Sequence, residues 1–352
     1  MIEIKKAKAA ILVKLKHPLL ISDIFFPDRL FKGQVLVKMI YSGICGSQMG
    51  EISGAKGPDK FLPHLLGHEG VAEVLDVHNS VKTVKKKDIV ILHWMPGSGL
   101  LSETPSYYLN NKKINAGYLT TFNTHAIVSE NRMTKISSDL VHKKIFSLIG
   151  CTFSTAVGSV SKVSSLLLNK ENATVLVTGC GSIGLNIIKY CKFLGIKNII
   201  ALDLDKNKIN LSKEFGANYS IHTTKEDYKE KVFRKFPRGI NFIFECTGNK
   251  NIISDSFKCL EKKGELVLIG VPKINQNANF YTLEINLGKK IIGSKGGQFC
   301  PQNDLKKYIK LALNKKINLH ELITDEIKLE NINDFLYSMS SKKIRGKGII
   351  KF

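Results

Sequence analysis

The sequence is poor in the features that mark membrane, secreted and fibrous proteins. Its 352 residues include only nine prolines and one tryptophan, and no apolar run approaches the roughly 20 residues of a membrane helix. Lysines interrupt the apolar residues at the start of the chain, so no signal-peptide core forms there. Seven cysteines, an odd number, are spread widely, which favours free thiols or metal ligands over a disulfide framework. These absences predict a soluble, cytoplasmic globular protein with no membrane partner.

Arginine is also scarce. The net charge is +23, but only five of the 53 basic residues are arginine, and the lysines are scattered with Lys85–Lys87 as the longest run. Proteins that read nucleic-acid bases favour arginine, because its planar fork pairs with base edges. The charge therefore predicts a lysine-rich solvated surface and no nucleic-acid partner. Binding to a nucleic acid or an anionic surface stays open as the alternative from a different functional class.

The length suggests two domains, at roughly 150 residues for each. From Ala173, ATVLVTG is typical of a buried strand, SIGLNIIKYCKFLG of an amphipathic helix and NIIALDLD of a second strand. The alternation continues to about residue 295, which predicts a doubly wound parallel sheet in an α/β fold. The first 150 residues instead carry short β-like runs between Gly, Pro and Ser clusters, which predicts a β-rich domain. Within them, residues 96–121 are interpreted as one long polar loop.

The first strand and helix of this pattern enclose a dinucleotide motif. Gly179, Gly181 and Gly184 have the spacing G-x-G-x-x-G. Such glycines allow a tight turn, a close approach of a pyrophosphate to the backbone, and close packing of helix on strand. Ser182 and Ile183 open the helix, whose free N–H groups and positive dipole favour phosphate.

An acidic residue follows at the expected distance. Asp203 ends the second strand, 19 residues after Gly184, where a carboxylate accepts hydrogen bonds from ribose hydroxyls. It would repel a 2′-phosphate, and Leu204 offers no compensating cation, so NAD is expected rather than NADP. Asp205 is a second acid close by, and capping of the next helix is the alternative role for this pair. The position at the strand end favours Asp203.

Three separate segments carry candidate metal ligands. Cys45 lies in SGICGSQ, His68 and Glu69 lie in LLGHEGVAEV, and Cys151 lies in LIGCTFSTAVGS. Two thiolates and an imidazole are the ligand set of a Cys₂His catalytic zinc, whose fourth position stays open. Separations this wide mean that only the fold can bring the three side chains together.

With these motifs, the chain resembles the zinc-dependent medium-chain alcohol dehydrogenases over nearly its whole length. The resemblance implies a β-rich, GroES-like catalytic domain from residues 1–152 and 296–352, with an NAD-binding Rossmann domain, 153–295, inserted between them. It also implies hydride transfer between NAD(H) and an alcohol or carbonyl substrate, with one catalytic zinc on Cys45, His68 and Cys151. A homodimer or homotetramer is expected by the same resemblance.

The resemblance implies roles for further residues. Ser47 would take the substrate proton, and Glu69 would approach the metal during ligand exchange. Arg345 would contact a cofactor phosphate. His93 and Trp94, at the end of the run DIVILHW, fall where the family lines its substrate pocket; for Trp94, a place in the core is an equal alternative.

The sequence also departs from the family pattern. Gln48 replaces the usual aspartate, whose carboxylate orients the ligand histidine. Gly50 replaces a frequent relay histidine, and Ala72 replaces the last glycine of Gly-His-Glu-x-x-Gly. Residues 95–121 contain no cysteine, whereas many members hold a structural zinc there. One zinc for each chain is therefore predicted, with no structural zinc.

The substrate is the least determined feature. The polar segment 97–121 suggests a polar substrate such as a polyol or a sugar-type alcohol. The alternative within the superfamily is a zinc-free quinone or enone reductase, which keeps the fold and transfers hydride to an activated alkene. The retention of Cys45, His68 and Cys151 favours the zinc enzyme.

Overall fold

The computed structural model of the chain describes residues 4–136, 142–223 and 228–352. Its internal contacts separate two compact units. The first unit comprises residues 1–152, 300–314 and 318–352, and the second comprises residues 153–299 and 315–317. The sequence predicts the corresponding divisions after residues 152 and 295.

The elements follow one another in chain order. The first part of the chain contains β1 (Lys6–Leu12), β2 (Leu20–Phe25), β3 (Gln34–Gly43), α1 (Gly46–Ile52), β4 (His64–Leu65), β5 (Glu69–Val77), β6 (Ile89–His93), β7 (Tyr107–Leu109), β8 (Lys112–Ile114), β9 (His125–Ser129), β10 (Met133–Ile136) and α2 (Lys143–Phe146). The middle part contains α3 (Thr152–Ser161), α4 (Ser164–Leu168), β11 (Thr174–Thr178), α5 (Ser182–Phe193), β12 (Asn198–Asp203), α6 (Lys206–Glu214), β13 (Tyr219–His222), α7 (Tyr228–Lys235), β14 (Ile240–Glu245), α8 (Lys250–Lys258), β15 (Leu260–Leu268), α9 (Thr282–Asn286) and β16 (Lys290–Gly293). The last part contains α10 (Pro301–Ala312), β17 (Ile323–Ile327), α11 (Ile332–Ser340) and β18 (Lys347–Lys351).

Two sheets, mostly antiparallel, build the first unit. One has the strand order β4-β1-β2-β7-β8, and the other has the order β10-β6-β5-β3-β18-β17, with β9 also paired to β3. The pairing of β3 with β5 sets Ser42 opposite Gly70, and the pairing of β18 with β3 sets Ile349 opposite Gly43. The end of β3, the start of β5 and the start of β18 therefore lie side by side.

The second unit is a parallel sheet flanked by helices. Its strand order is β13-β12-β11-β14-β15-β16, and β11 and β12 bury nearly all their side chains, as expected for strands covered on both faces. The predicted α/β class with a doubly wound sheet is confirmed. Throughout the described residues, no helix is both long and apolar enough to cross a bilayer.

One prediction about the first unit is wrong. The segment 96–121 is not a continuous loop, because β7 and β8 form a hairpin inside it and β7 pairs with β2. Asn110 and Asn111 make its turn with positive φ values of 47° and 61°, a conformation that asparagine tolerates and that tight hairpins require. Tyr107 is fully buried and its hydroxyl accepts the backbone N–H of Ile127 at 2.7 Å. The hairpin thus extends the edge of this sheet and anchors it to the core through Tyr107.

Candidate metal centre

The three predicted ligands come together in the first unit. Cys45 follows β3 and caps the start of α1, His68 immediately precedes β5, and Cys151 immediately precedes α3. Their candidate ligand atoms all lie within 4.8 Å of one another. The neighbouring ends of β3 and β5 account for the approach of Cys45 to His68.

The pKa values of the Cys45 and Cys151 thiols are shifted in opposite directions. A hydrogen bond with Cys151, together with His68 and the charge of Lys347, holds the pKa of Cys45 well below its usual range although burial opposes this. The same hydrogen bond and burial raise the pKa of Cys151. Burial works against protonation of His68, but its hydrogen bond to Cys45 raises the pKa of the imidazole. Of the two thiols, Cys45 therefore has the lower pKa and Cys151 the higher.

This donor set fits a zinc ion. Two thiolates and one imidazole nitrogen match the three protein ligands of a Cys₂His catalytic site. Coordination to a divalent cation would leave both thiols deprotonated. Cys45 and His68 are half-buried and Cys151 is buried.

Gln48 lies in α1 with its side chain buried against this centre. Its Oε1 accepts the backbone N–H of Cys45 at 2.9 Å, and its Nε2 lies 2.5 Å from Nδ1 of His68. The other ring nitrogen, Nε2, is consequently the one left for a metal. Gln48 therefore occupies the place of the aspartate that it replaces in the family pattern.

Glu69, the residue after His68, forms a buried ion pair with Lys347. Nζ of Lys347 lies 2.6 Å from Oε1 of Glu69 and 2.6 Å from Oγ1 of Thr152. Thr152 donates its hydroxyl to Oε1 of Glu69 at 2.8 Å and its backbone N–H to Oε2 at 2.9 Å. Both oxygens of Glu69 are thus engaged, so an approach of this carboxylate to a metal requires these bonds to break. The exchange role of Glu69 stays a prediction.

Sequence reasoning missed Lys347 and Thr152. Lys347 becomes visible only through the pairing of β18 with β3, which no short-range pattern reveals. Gly43 makes room for the cluster, since a Cβ there would lie 2.5 Å from Oε1 of Glu69. Although burial opposes it, the charge of Glu69 raises the pKa of Lys347 and keeps the amine protonated.

Ser47 and Trp94 each present a polar atom without a partner. Among the described residues, Oγ of Ser47 and Nε1 of Trp94 are buried and make no hydrogen bond. Such atoms are costly unless a ligand or water satisfies them. This is compatible with the substrate roles predicted for both residues.

His93 is a fully buried neighbour of Trp94. Its Nδ1 lies 2.8 Å from the carbonyl oxygen of Met95, and its Nε2 lies 3.0 Å from Oγ1 of Thr134. Burial lowers the pKa of His93 to about 4, so the ring is neutral. A polar contact with substrate would require one of these bonds to break, and the pocket role of His93 stays a prediction.

The dinucleotide motif occupies the second unit as a turn between β11 and α5. Gly179 has a φ of 87°, and Gly181 precedes the first residues of α5, Ser182 and Ile183. A Cβ at Gly184 would lie 2.0 Å from the carbonyl oxygen of Gly179, so glycine is required for this packing. The predicted strand, turn and helix are all present.

Asp203 ends β12 beside this turn. Its Oδ2 accepts the backbone N–H of Cys180 at 2.7 Å, and its Oδ1 accepts that of Asp205 at 2.9 Å. Asp205 caps α6 by accepting the N–H of Asn207, so the capping alternative belongs to Asp205. Arg345 is exposed between β17 and β18, and its cofactor role stays a prediction.

Comparisons with known proteins agree with this architecture. Residues 32–138 match the family model of the alcohol dehydrogenase GroES-like domain, and residues 182–314 match that of zinc-binding dehydrogenases. Benzyl alcohol dehydrogenase from Acinetobacter calcoaceticus is 23% identical with a TM-score of 0.86, covering 99% of this chain and 100% of that one. The alcohol dehydrogenase from Aeropyrum pernix is 23% identical with a TM-score of 0.81, covering 98% and 100%. The 2R,3R-butanediol dehydrogenase from Bacillus subtilis is 23% identical with a TM-score of 0.77, covering 98% of this chain and 99% of that one.

The GroES-like unit, the Rossmann unit and the Cys-His-Cys centre define a zinc-binding oxidoreductase of the alcohol dehydrogenase type. The chain belongs to the zinc-dependent medium-chain alcohol dehydrogenase family, which confirms the family predicted from its motifs.

Proposed function

We propose that the chain is an NAD(H)-dependent dehydrogenase that holds one catalytic zinc on Cys45, His68 and Cys151 and interconverts a polar alcohol with its carbonyl. The observation that carries the proposal is the convergence of these three side chains within 4.8 Å. A zinc-free reductase has no need of two cysteines and a histidine in this arrangement.

The residues of the chain divide the chemistry between them. Cys45, His68 and Cys151 would hold a zinc ion that supplies a Lewis acid to a substrate oxygen. A nicotinamide cofactor held by the second unit would supply the hydride acceptor or donor. Ser47 takes the substrate proton on its unpartnered hydroxyl. Because Gly50 stands where a relay histidine is frequent, that proton leaves Ser47 through water, a ribose hydroxyl or another base.

The glycine-rich turn between β11 and α5, in the second unit, binds the cofactor. The N–H groups at the start of α5 hold the pyrophosphate, and Arg345 adds positive charge to a cofactor phosphate. Asp203 accepts the ribose hydroxyls with lone pairs that its two backbone bonds leave available. The exposed Leu204 provides no cation for a 2′-phosphate, which supports NAD as the cofactor.

A polar substrate, such as a diol, polyol or sugar alcohol, is supported by two buried polar atoms. The hydroxyl of Ser47 and the indole N–H of Trp94 can each bond a substrate oxygen. The polar composition of segment 97–121 also favours a polar substrate, but it is weaker support, because Tyr107 of this segment is part of the core. A substrate profile restricted to apolar primary alcohols would refute this choice.

A homodimer is supported by the edge of the parallel sheet. β16 is the edge strand, and the adjoining segment exposes the apolar side chains of Tyr281, Leu283 and Leu287. Unpaired edges and exposed apolar patches favour association. Sedimentation of the purified protein at monomer mass would count against it. None of the seven cysteines, all of which lie in the described residues, forms a disulfide, which supports a cytoplasmic location.

The substitution Cys45→Ser tests the function. We expect kcat to fall by more than about 100-fold, because even the hydrogen-bond partners of metal ligands contribute roughly 10- to 100-fold. NADH binding, followed by fluorescence, should persist. Cys300→Ser is the matched control, since Cys300 is a free cysteine outside the ligand group. Full turnover by a zinc-free Cys45→Ser protein would refute the proposal.

A further inference from the structure

The side-chain amide of Gln48 forms hydrogen bonds with both Cys45 and His68. Its Oε1 accepts the backbone N–H of Cys45, and its Nε2 lies 2.5 Å from Nδ1 of His68. The residue is 1% exposed, so water does not replace either bond. Because the amide N–H points at Nδ1, Nδ1 must act as the acceptor and the ring carries its proton on Nε2.

That arrangement conflicts with metal binding at the same ring. A neutral imidazole that ligates through Nε2 carries its proton on Nδ1. The side chain of residue 48 then faces two donors, the N–H of Cys45 and Nδ1–H of His68. An amide has one accepting oxygen, whereas a carboxylate has two. Rotation of the amide by half a turn only exchanges which donor is left without an acceptor.

We propose that Gln48 is a positioning residue that weakens the hold of this centre on zinc, because its single amide oxygen cannot serve both N–H donors when His68 ligates. The inference rests on the proposed zinc site and deepens it. A buried donor without an acceptor destabilises the loaded state and not the metal-free one. The chain is consequently a zinc enzyme whose metal exchanges more readily than that of a carboxylate-bearing relative.

Gln48→Glu restores the second acceptor at nearly the same size. We expect zinc dissociation, measured by transfer to a chromogenic chelator, to become slower and the affinity to rise by roughly 10- to 100-fold, the range found for hydrogen-bond partners of metal-ligating histidines. An affinity within about threefold of the original would overturn the proposal, because that is below the range.

Gly50→Glu is the matched control for charge. It adds the same negative charge to α1, and a Cβ at Gly50 has no neighbour closer than 3.8 Å, so the substitution is accommodated. Residues two apart on a helix face different directions, so this carboxylate does not replace the Gln48 contact. We expect little change in zinc affinity. If Gly50→Glu tightens binding as much as Gln48→Glu, charge alone explains the effect and the proposal fails.

A measurement on the unaltered protein avoids dependence on any variant. Long-range ¹⁵N–¹H correlation of histidine-labelled, reduced, metal-free protein reports which ring nitrogen of His68 carries the proton, with His68→Ala for assignment. We expect the proton on Nε2 before zinc is added and on Nδ1 afterwards. A proton on Nδ1 in the metal-free protein, alone or together with one on Nε2, would overturn the proposal.

The outcomes separate this inference from the function. If neither the original protein nor Gln48→Glu binds zinc, the proposed function fails and the inference falls with it. If both bind zinc with equal affinity, the function stands and only the role of Gln48 is refuted.

Discussion

Lys347 and Glu69 are opposite charges buried almost completely, with side-chain exposures of 1% and 0%. Removal of water from both charges is costly, and their attraction offsets that cost only when the remaining hydrogen bonds are also made. Thr152 supplies those bonds through its hydroxyl and its backbone N–H. The three residues thereby fix the start of β5, directly after His68, to the start of α3, directly after Cys151.

For these single residues, we predict that Lys347→Met lowers the free energy of unfolding by about 3–5 kcal/mol, because it leaves the carboxylate of Glu69 buried and unpaired. Urea denaturation of the metal-free protein measures the change. The exposed ion pair of Lys6 with Asp23 offers the control, and Lys6→Met should change stability little. The double variant Glu69→Gln with Lys347→Met should recover part of the loss. A Lys347→Met protein as stable as the original would show that the pair contributes nothing.

At the scale of elements, the turn between β11 and α5 and the end of β12 form one unit. Asp203 accepts the N–H of Cys180 within the glycine turn, so the same carboxylate that is proposed to bind ribose also holds the turn in place. Substitution of Asp203 would therefore mix a structural effect with a cofactor effect. Leu204, which is 52% exposed, is the better position to alter.

We predict that Leu204→Arg raises kcat/KM for NADP by about 10- to 100-fold, the value of one charged hydrogen bond to a 2′-phosphate. The value for NAD should change little, because Asp203 keeps its bonds. Initial rates with each cofactor at fixed substrate measure the ratio. An original protein that already prefers NADP would contradict the cofactor assignment.

Elements differ in how well the sequence reveals them. The strand, glycine turn and helix from β11 to α5 follow from contiguous apolar runs with clear periods, and all of them are where the pattern predicts. The hairpin of β7 and β8 was missed because each strand has only three residues, too few to show an alternation. Its signal is the pair Asn110 and Asn111, a residue type that accepts the positive φ of a tight turn.

At the scale of the whole molecule, the candidate centre depends on distant segments. The surrounding motifs identify Cys45, His68 and Cys151, but only the folded chain shows that they meet, and the register of β3 against β5 accounts for the first two alone. Lys347, more than 190 residues after Thr152, had no local signal at all. Sequence patterns report what lies close along the chain, and a site assembled by sheet pairing is therefore recovered only in part.

The proposed function depends above all on a catalytic zinc held by Cys45, His68 and Cys151. Elemental analysis of the purified, dialysed protein, with the fluorescence change on addition of NADH in the same sample, tests it most directly. We predict about one zinc for each chain together with NADH binding, as a single three-ligand site requires. NADH binding and hydride transfer by protein that carries no zinc would contradict it.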